Sequence, residues 1–231
     1  MVSQPTILRH LWALGYRNDV PKPVPMLTEQ HKKKRLEWAR KHLHDNWDTT
    51  FFLDETVFQL FRNTIGQWHK GSRPIRRVPK DRRKIFAWGG FCKEGKVGLF
   101  CFKNTMNAEF YISILEKNIA DINILLGEKW RFQQDNDPKY MSRLAKSYLE
   151  SNVPEVIDWP SNSPDLNPVE NLWNQVKRNV EKRNPKNLGQ LESLMGEEWD
   201  LIPDDTLKSL IDSMKKRCML VIQSNGDTID Y

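Results

Sequence analysis

The sequence predicts an α/β domain built on one mixed, five-stranded sheet with helices on its flanks. The segment around Asp54 is apolar on both sides of that residue, and such a run indicates a central strand that is buried on both faces. Two further runs, 85–92 and 97–102, are joined by a Lys-Glu-Gly-Lys turn and predict an antiparallel hairpin. After residue 107 strands alternate with helical segments, a pattern typical of parallel pairing.

Helix starts are marked by residues that cap a first turn well. Thr28, Asn107 and Asn167 each precede a stretch with helical periodicity, and Pro168 suits the first helical position. The remaining helices are expected between Ser3 and Gly15, around 144–149, over 188–201 and over 204–223, and the remaining strands at 132–135 and 153–159.

Composition favours one compact domain with a polyanionic partner. The chain has 231 residues and a formal net charge of +6, with no apolar run of membrane-spanning length and no secretory signal pattern. Its three cysteines, Cys92, Cys101 and Cys218, form no paired motif, so we expect reduced thiols in an intracellular protein rather than a disulfide framework or a zinc site.

One boundary is visible in the chain. The proline-rich segment 20–25 predicts a stiff, extended linker. We therefore divide the chain into residues 1–26, a short helical remnant with its linker, and residues 27–231, the main domain. The alternative for the first helix is a frayed leader with no task of its own.

Two segments are strongly basic. The helix over 28–45 carries Lys and Arg around most of its surface, and seven of the twelve residues in 73–84 are Lys or Arg. Both segments could contact DNA phosphates, whereas a solvated face or, for the loop, a nuclear-import signal are the alternatives. The candidate phosphate contacts in the loop are Arg76, Arg77, Arg82, Arg83 and Lys84.

Three carboxylates occupy positions that call for an explanation. Asp54 lies inside the central strand, Asp135 follows a short strand, and Glu170 opens a helix, with 34 residues between the last two. Taken singly, Asp135 reads as a turn residue and Glu170 as the acid of a capping box that reaches back to Asn167. Brought together, three acids would repel one another unless a cation lay between them, and Mg²⁺ prefers such hard oxygen ligands.

Five motifs in this order resemble the Tc/mariner superfamily of DDE transposases. They are FFLDET, WGGF, FQQDNDPK, WPSNSPDLNPVENLW and DSMKKRCMLVIQSNG, and the resemblance runs from about Ser3 to the C-terminus. The third acid is Glu170, and 34 residues separate it from Asp135, as in the Tc branch. The resemblance implies a ribonuclease-H-like fold and cut-and-paste transposition of DNA, with Asp54, Asp135 and Glu170 as catalytic metal ligands. Asp137 belongs to the same motif but is not a family ligand.

The resemblance also implies a mechanism and partners. Two Mg²⁺ ions, with Mn²⁺ as a substitute, would be held with Asp54 bridging both, and the enzyme would cut transposon ends and insert them at TA dinucleotides. We expect the helix N-terminus to keep Glu170 ionised, and Lys139, Lys177 and Arg178 to hold phosphates nearby. Transposon ends and target DNA are the expected partners, with a homodimer in the DNA complex and a nuclear location in a eukaryotic host.

Two other classes remain compatible with these motifs. One is another ribonuclease-H-like nuclease or integrase with the same three acids. The other is a non-catalytic DNA-binding protein derived from a transposase. The chain also departs from the family pattern at 69–84, where the family carries a longer, often glycine-rich insertion that reaches toward a partner subunit.

Overall fold

The structure is a computed structural model that describes residues 4–16, 25–61, 70 and 83–231. Ser3, most of the predicted linker, and Arg76, Arg77 and Arg82 lie outside the described residues. In chain order the described elements are α1 (Gln4–Ala13), α2 (Glu29–His42), β1 (Thr50–Gln59), β2 (Lys84–Cys92), β3 (Gly95–Lys96), β4 (Phe100–Phe102), α3 (Ala108–Leu126), β5 (Arg131–Gln133), α4 (Arg143–Asn152), β6 (Glu155–Val156), α5 (Val169–Arg183), α6 (Leu188–Asp200), α7 (Asp204–Asp212) and α8 (Met214–Gln223).

The sheet is mixed, and β1 lies inside it as predicted. β1 pairs with β2 in the antiparallel sense and with β5 in the parallel sense, while β6 extends the parallel side. The order of positions is β3–β2–β1–β5–β6, with β4 also paired to β2. The antiparallel start followed by parallel pairing is therefore confirmed, and Asp54 stands on the strand between the two halves.

The strand count differs from the prediction in one detail. The described part of the chain has six strands, yet they fill five positions, because β3 and β4 both pair with the edge of β2 that faces away from β1. Of the predicted strand over 97–102 only Phe100–Phe102 forms, as β4, while β3 consists of Gly95–Lys96 in the predicted turn, and the register against β2 changes by one residue between β3 and β4. The predicted strand over 153–159 is also shorter, since only Glu155–Val156 pairs with β5.

Each face of the sheet carries its own hydrophobic core. Phe52 and Phe58 of β1 belong to the core shared with α2, α5, α6, α7 and α8, whereas Phe51 and Leu53 belong to the core shared with α3 and α4. This alternation follows from the pleat of the strand, which sends successive side chains to opposite faces. Asp54 is thus directed to the same face as Phe52, where α5 packs.

Gly89 shows why small residues occur in the WGGF motif. It is the register partner of Asp54 on β2, and a Cβ atom there would lie 3.0 Å from the Trp173 ring and 3.2 Å from the Trp199 ring. The two indole rings stack with centroids 4.9 Å apart, and they cover the sheet beside the acid.

Most helix starts agree with the predicted caps. Thr28 accepts a hydrogen bond from the backbone N–H of His31, and Asn107 accepts one from that of Phe110. Gly15 ends the first helix with a φ of +85°, as expected for a residue without a side chain. The apolar side chains of α1 are largely exposed, and none of the helices in the described ranges is both long and apolar enough to cross a membrane.

The C-terminal helical region was predicted as two helices, and the structure has three. The segment 204–223 is divided into α7 and α8 at Ser213, whose backbone keeps right-handed helical angles of φ −70° and ψ −17°. The Ser213 hydroxyl donates to the Leu210 carbonyl at 2.6 Å and accepts from Arg217 Nε at 3.0 Å. A serine that hydrogen-bonds the preceding turn in this way bends a helix, which explains the break.

Candidate active site

Asp54 reaches the site from the middle of the sheet. One of its carboxylate oxygens accepts a hydrogen bond from the backbone N–H of Glu55 at 2.7 Å. The side chain is half-buried and faces α5, while Glu55, one residue on, points to the opposite face of β1 and meets Lys139 at 3.3 Å. Only one of these two adjacent acids is therefore delivered to the α5 side.

Asp135 lies two residues beyond the end of β5, in an exposed loop. Its Oδ1 accepts from the backbone N–H of Asp137 at 3.1 Å, and Asp137 in turn accepts from the backbone N–H of Lys139 at 3.0 Å. Asp135 therefore does stabilise a turn, as the alternative interpretation of this residue predicts. It nevertheless lines the same pocket as Asp54.

Glu170 opens α5, but it does not act as a capping acid. The Asn167 side chain accepts from the backbone N–H of Val169 at 3.2 Å, and Pro168 already has helical angles, so the predicted start of the helix is confirmed. The Asn167 N–H that a capping box would offer to Glu170 donates instead to the Pro164 carbonyl at 3.1 Å. The capping-box interpretation of Glu170 is therefore wrong, and its carboxyl group is directed elsewhere.

The three acids line one pocket of about 430 Å³. Asp137, Asn136, Asn167 and the segment 159–164 complete its wall. The carboxyl groups of Asp54 and Glu170 share a hydrogen bond, and both also interact electrostatically with Asp135. Among the described residues no group of three His, Cys, Asp or Glu side chains lies close enough together to hold a metal ion, so the three acids share a pocket without forming such a cluster.

Burial shapes the protonation of these groups. Burial raises the pKa of Asp54 well above its ordinary value, and the neighbouring charges of Glu170 and Asp135 raise it further. Burial also raises the pKa of Glu170, although the Lys177 charge acts in the opposite direction. Burial thus acts against the expected effect of the helix N-terminus, and the expectation that Glu170 is kept ionised stays a prediction.

The pKa of Asp135 is raised as well, first by burial of its carboxyl group in the pocket and then by the charge of Asp137. Lys139 acts against this increase. Two carboxyl groups that share a hydrogen bond, with a third acid nearby, hold a proton more strongly than an isolated carboxyl group does. A bound cation would offset the repulsion among these carboxylates and would thereby favour their ionised form.

The predicted phosphate-binding side chains fall into two groups. Lys139 and Lys177 are half-buried beside the acids: Lys139 pairs with Asp137 at 2.7 Å, and Lys177 donates to the Thr56 hydroxyl at 2.5 Å. Arg178, Arg83 and Lys84 are exposed, and they take no part in the hydrogen bonds described above for the three acids. Lys139 and Lys177 lie close enough to act on the pKa of Asp135 and of Glu170, although neither lines the pocket, and phosphate contact by both groups stays a prediction.

One basic residue of α2 does not lie where its charge suggested. Arg35 is one of the basic residues of the helix predicted over 28–45 to contact DNA or to be solvated, but it is fully buried and pairs with Asp165 at 2.7 Å. The interpretation of Arg35 as a DNA contact is wrong, because its guanidinium group faces the protein interior. Lys33, Lys34, Arg40 and Lys41 are exposed on the remainder of the helix.

Several amide side chains that support the pocket were missed. Asn167 Nδ2 donates to the Leu53 carbonyl at 3.3 Å, which ties the start of α5 to the strand of Asp54. Asn136 Nδ2 donates to the Trp159 carbonyl at 2.7 Å, and Gln134 accepts from the Tyr111 hydroxyl at 2.5 Å. Their signal in the sequence is the presence of amide side chains beside Asp135 and near Glu170, whereas the motif around Asp54 has none.

Comparison with known proteins relates this pocket to a family. A family model for DDE superfamily endonucleases matches residues 49–192, and a transposase helix-turn-helix model of the Tc3 type matches residues 1–44. The Tcb2 transposase of Caenorhabditis briggsae is 31% identical over 238 residues, which is 98% of this chain and 87% of that protein. The Tc3 transposase of Caenorhabditis elegans is 33% identical over 91% of this chain and 66% of its own length.

The chain belongs to the Tc/mariner superfamily of DDE transposases. Its family makes it a polynucleotidyl transferase with an endonuclease domain. The helix-turn-helix match ends at residue 44 and so includes α2, whereas the predicted domain boundary lies after residue 26. That boundary stays a prediction.

Solved structures place this transposase in the predicted fold. Its TM-score is 0.82 to the Mos1 mariner paired-end complex with Mn, at 18% identity, over 99% of this chain and 72% of that one. The TM-score to the catalytic domain of the Mos1 mariner transposase is 0.69, at 17% identity. This match covers 90% of the present chain and 100% of that domain. The ribonuclease-H-like fold is confirmed.

Proposed function

We propose that this transposase cuts DNA at transposon ends and joins the released ends to target DNA, with Asp54, Asp135 and Glu170 as its catalytic metal ligands. The observation that carries the proposal is the convergence of these three acids on one pocket, with Asp54 and Glu170 sharing a hydrogen bond. They come from three different elements, so local structure alone does not explain their proximity.

The residues present fit a hard divalent cation. Carboxylate oxygens are the ligands that Mg²⁺ and Mn²⁺ prefer, and a cation would offset the repulsion from Glu170 and Asp135 that adds to the raised pKa of Asp54. Mos1 mariner paired-end complexes have been obtained with Mn and with Mg. When bound, a pair of such ions would supply Lewis acidity to the attacking and leaving oxygens of a phosphodiester.

The chain's own groups would prepare and hold this centre. Asp54 would hold the cation in its ionised form, because a nearby positive charge opposes the burial and the neighbouring negative charges that raise its pKa. Lys177, which already lies close enough to lower the pKa of Glu170, would neutralise charge on a DNA phosphate entering the pocket. In each reaction a water or a 3′-hydroxyl attacks phosphorus in line, and the P–O bond to the opposite oxygen breaks.

We propose the remaining features on the strength of family membership. Duplex DNA is the partner, in the form of transposon ends and of target sites at TA dinucleotides. A homodimer would assemble on paired ends, and a paired-end complex is the state in which the Mos1 mariner protein has been solved. In a eukaryotic host the chain would act in the nucleus, where the DNA is.

Cleavage of a pre-nicked transposon-end duplex in Mn²⁺ or Mg²⁺ tests the proposal. Asp54→Asn, Asp135→Asn and Glu170→Gln should each lower the cleavage rate by at least about 100-fold, since electrostatic stabilisation of the transition state is lost. Glu170→Asp keeps the charge but moves it by a methylene, so it should rescue the rate only in part.

Glu197→Gln is the matched control, because it makes the same chemical change on α6, where the carboxylate pairs with Arg183 at 2.6 Å far along the chain from the three acids. It should cleave like the wild type. Wild-type cleavage by Glu170→Gln, with its melting temperature intact, would refute the assignment of the site. DNA binding without cleavage by the wild type would instead support a non-catalytic protein.

A further inference from the structure

A buried ion pair holds the loop in front of Glu170. Arg35 of α2 is fully buried, and its two terminal nitrogens donate to the two carboxylate oxygens of Asp165 at 2.8 and 2.7 Å. Such a two-pronged contact fixes both the distance and the orientation of the carboxylate. The partners are 130 residues apart in the chain, so the contact joins an N-terminal helix to the loop that leads into α5.

The same arginine gathers the C-terminal tail onto this loop. Its Nε donates to the Gly226 carbonyl at 3.0 Å and one terminal nitrogen also donates to the Asp227 carbonyl at 3.1 Å, while the Ile229 N–H donates to Asp165 Oδ2 at 2.8 Å. A Cβ atom on Gly226 would lie 2.0 Å from the Lys32 carbonyl oxygen, so the tail and α2 meet backbone to backbone.

A second buried arginine spans Glu170 itself. Arg217 of α8 donates to the backbone carbonyl of Asp165 at 2.8 Å and to the side-chain oxygen of Asn171 at 2.7 Å. These acceptors lie on either side of Glu170 in the sequence. Burial lowers the pKa of Arg217 to about 10, which leaves the guanidinium group charged at neutral pH.

Burial of two arginines beside one loop costs free energy, because each charged group loses its hydration. We expect such a cost where the buried charges have a functional role. A buried ion pair often adds little net stability over apolar residues of similar size, so its presence is weak support for a purely structural role. Apart from the Arg217 bond to the Ser213 hydroxyl, the arginine contacts named above end on Asp165 and Asn171, which flank Glu170, or on the C-terminal tail. The contacts determine where α5 begins and thus where its first acid lies.

We propose that Arg35 and Arg217 are positioning residues for Glu170, acting through Asp165 and Asn171 as a clamp that fixes the carboxylate at the rim of the pocket. This inference rests on the proposed role of Glu170. It also makes α2 an integral part of the catalytic unit, although residues 1–44 match a helix-turn-helix family. A variant chain that begins at residue 45 would lack Arg35 and therefore one half of the clamp.

The test uses the whole chain with Arg35→Lys and Arg217→Lys, which keep the charge but lose the planar fork. The first readout needs no DNA: the Mn²⁺ concentration at which half of the metal-induced rise in melting temperature is reached. It should increase by about 10- to 100-fold, the usual effect of losing a group that orients a metal ligand. The second readout is cleavage, in which kcat should fall while KM for DNA stays close to that of the wild type.

Leu207→Ala is the matched control, because it removes buried volume from α7 without touching the loop. It should lose thermal stability in the same way, yet keep the wild-type Mn²⁺ midpoint when all proteins are assayed well below their melting temperatures. Should an arginine variant fail to fold, Asn171→Ala replaces it, since it removes one acceptor of Arg217 and leaves the Arg35–Asp165 pair intact.

Equal Mn²⁺ midpoints for the wild type, the folded clamp variants and Leu207→Ala would overturn the clamp. Glu170→Gln is run beside them to separate the two proposals. If it abolishes cleavage while the clamp variants behave like Leu207→Ala, the clamp is wrong and the catalytic assignment stands. If Glu170→Gln leaves both the Mn²⁺ midpoint and cleavage unchanged, the assignment of Glu170 fails and the clamp fails with it.

Discussion

The two loops that bring Asp135 and Glu170 to the pocket are held in opposite ways. The turn of the exposed Asp135 loop is built from short-range contacts, in which Asp135 and Asp137 each accept from a backbone N–H two residues on, while Asn136 and Lys139 join it to Trp159 and Glu55. The Glu170 loop is held by long-range contacts to α2, α8, the tail and β1, through Arg35, Arg217 and Asn167. The backbone turn of the first loop is thus a local structure, whereas the position of the second loop requires buried contacts across the assembled domain.

This difference has consequences for stability and for function. Local turns re-form easily, so substitutions in the Asp135 loop should disturb little beyond the loop itself. Loss of a distant contact to the Glu170 loop should be felt both as unfolding and as a displaced carboxylate. Three substitutions or conditions would break or sharpen this contrast.

The largest stability effect is expected for Asp165→Ala. The change leaves the guanidinium group of Arg35 buried without its carboxylate and removes the acceptor of the Ile229 N–H. Breaking a buried pair from one side costs about 3–5 kcal/mol, so we expect a decrease of that order in the free energy of unfolding measured with urea. A loss below about 1 kcal/mol, the range of exposed pairs, would show that the clamp is dispensable.

A pH titration of stability separates the shared acid pair from the rest of the site. The folded-state pKa values of Asp54, Glu170 and Asp135 are raised above their ordinary values of 3.8 for Asp and 4.5 for Glu. At pH values above these, the native protein therefore holds more protons than the unfolded chain does. Without metal, the free energy of unfolding should therefore contain a contribution that declines as pH rises from about 4 through the raised pKa values.

Asp54→Asn removes the group with the largest shift, so urea titrations in a chelator should show a shallower decline for this variant over the same pH range. Adding Mn²⁺ to the wild type should stabilise more strongly as pH rises, because protons and the cation compete for the same oxygens. Parallel pH profiles for the wild type and Asp54→Asn would contradict the assignment of a shared proton to this pair.

The smallest effect is expected for Asp137→Asn. The amide can still accept the backbone N–H of Lys139, and only the ion pair of 2.7 Å to the Lys139 side chain is lost. Since the Asp137 side chain is 38% exposed, we expect a decrease of at most about 1 kcal/mol in the free energy of unfolding. A cost comparable to that of Asp165→Ala would erase the contrast between the two loops.

Asp137 also gives that contrast a pH signature of opposite sign. Hydrogen bonds from Lys139 hold the pKa of Asp137 below its ordinary value, despite the opposing effect of burial. Its contribution to stability is therefore present above pH 3.8 and is lost as pH falls through its lowered pKa, below the window of the acid pair. Asp137→Asn should remove that acid-side loss and leave the decline at higher pH unchanged.

Local patterns in the sequence predicted most of the fold, and the resemblance of its motifs to a family singled out the three acids. The apolar run around Asp54 predicts a central strand because only a strand covered on both faces needs such a run. The caps at Thr28, Asn107 and Asn167 predict helix starts because their side chains satisfy free N–H groups within a few residues. Both kinds of signal depend on neighbours in the chain, which the sequence displays directly.

Only the tertiary structure decided how the acids are held and which charges are free. Arg35 looks like its exposed neighbours on α2, and nothing within its helix indicates that Asp165 lies opposite. Glu170 satisfies the pattern of a capping acid, yet the Asn167 N–H already has the Pro164 carbonyl as its partner. The protonation of Asp54 likewise depends on burial and on carboxyl groups from two other elements, and such proximity exists only once the chain has folded.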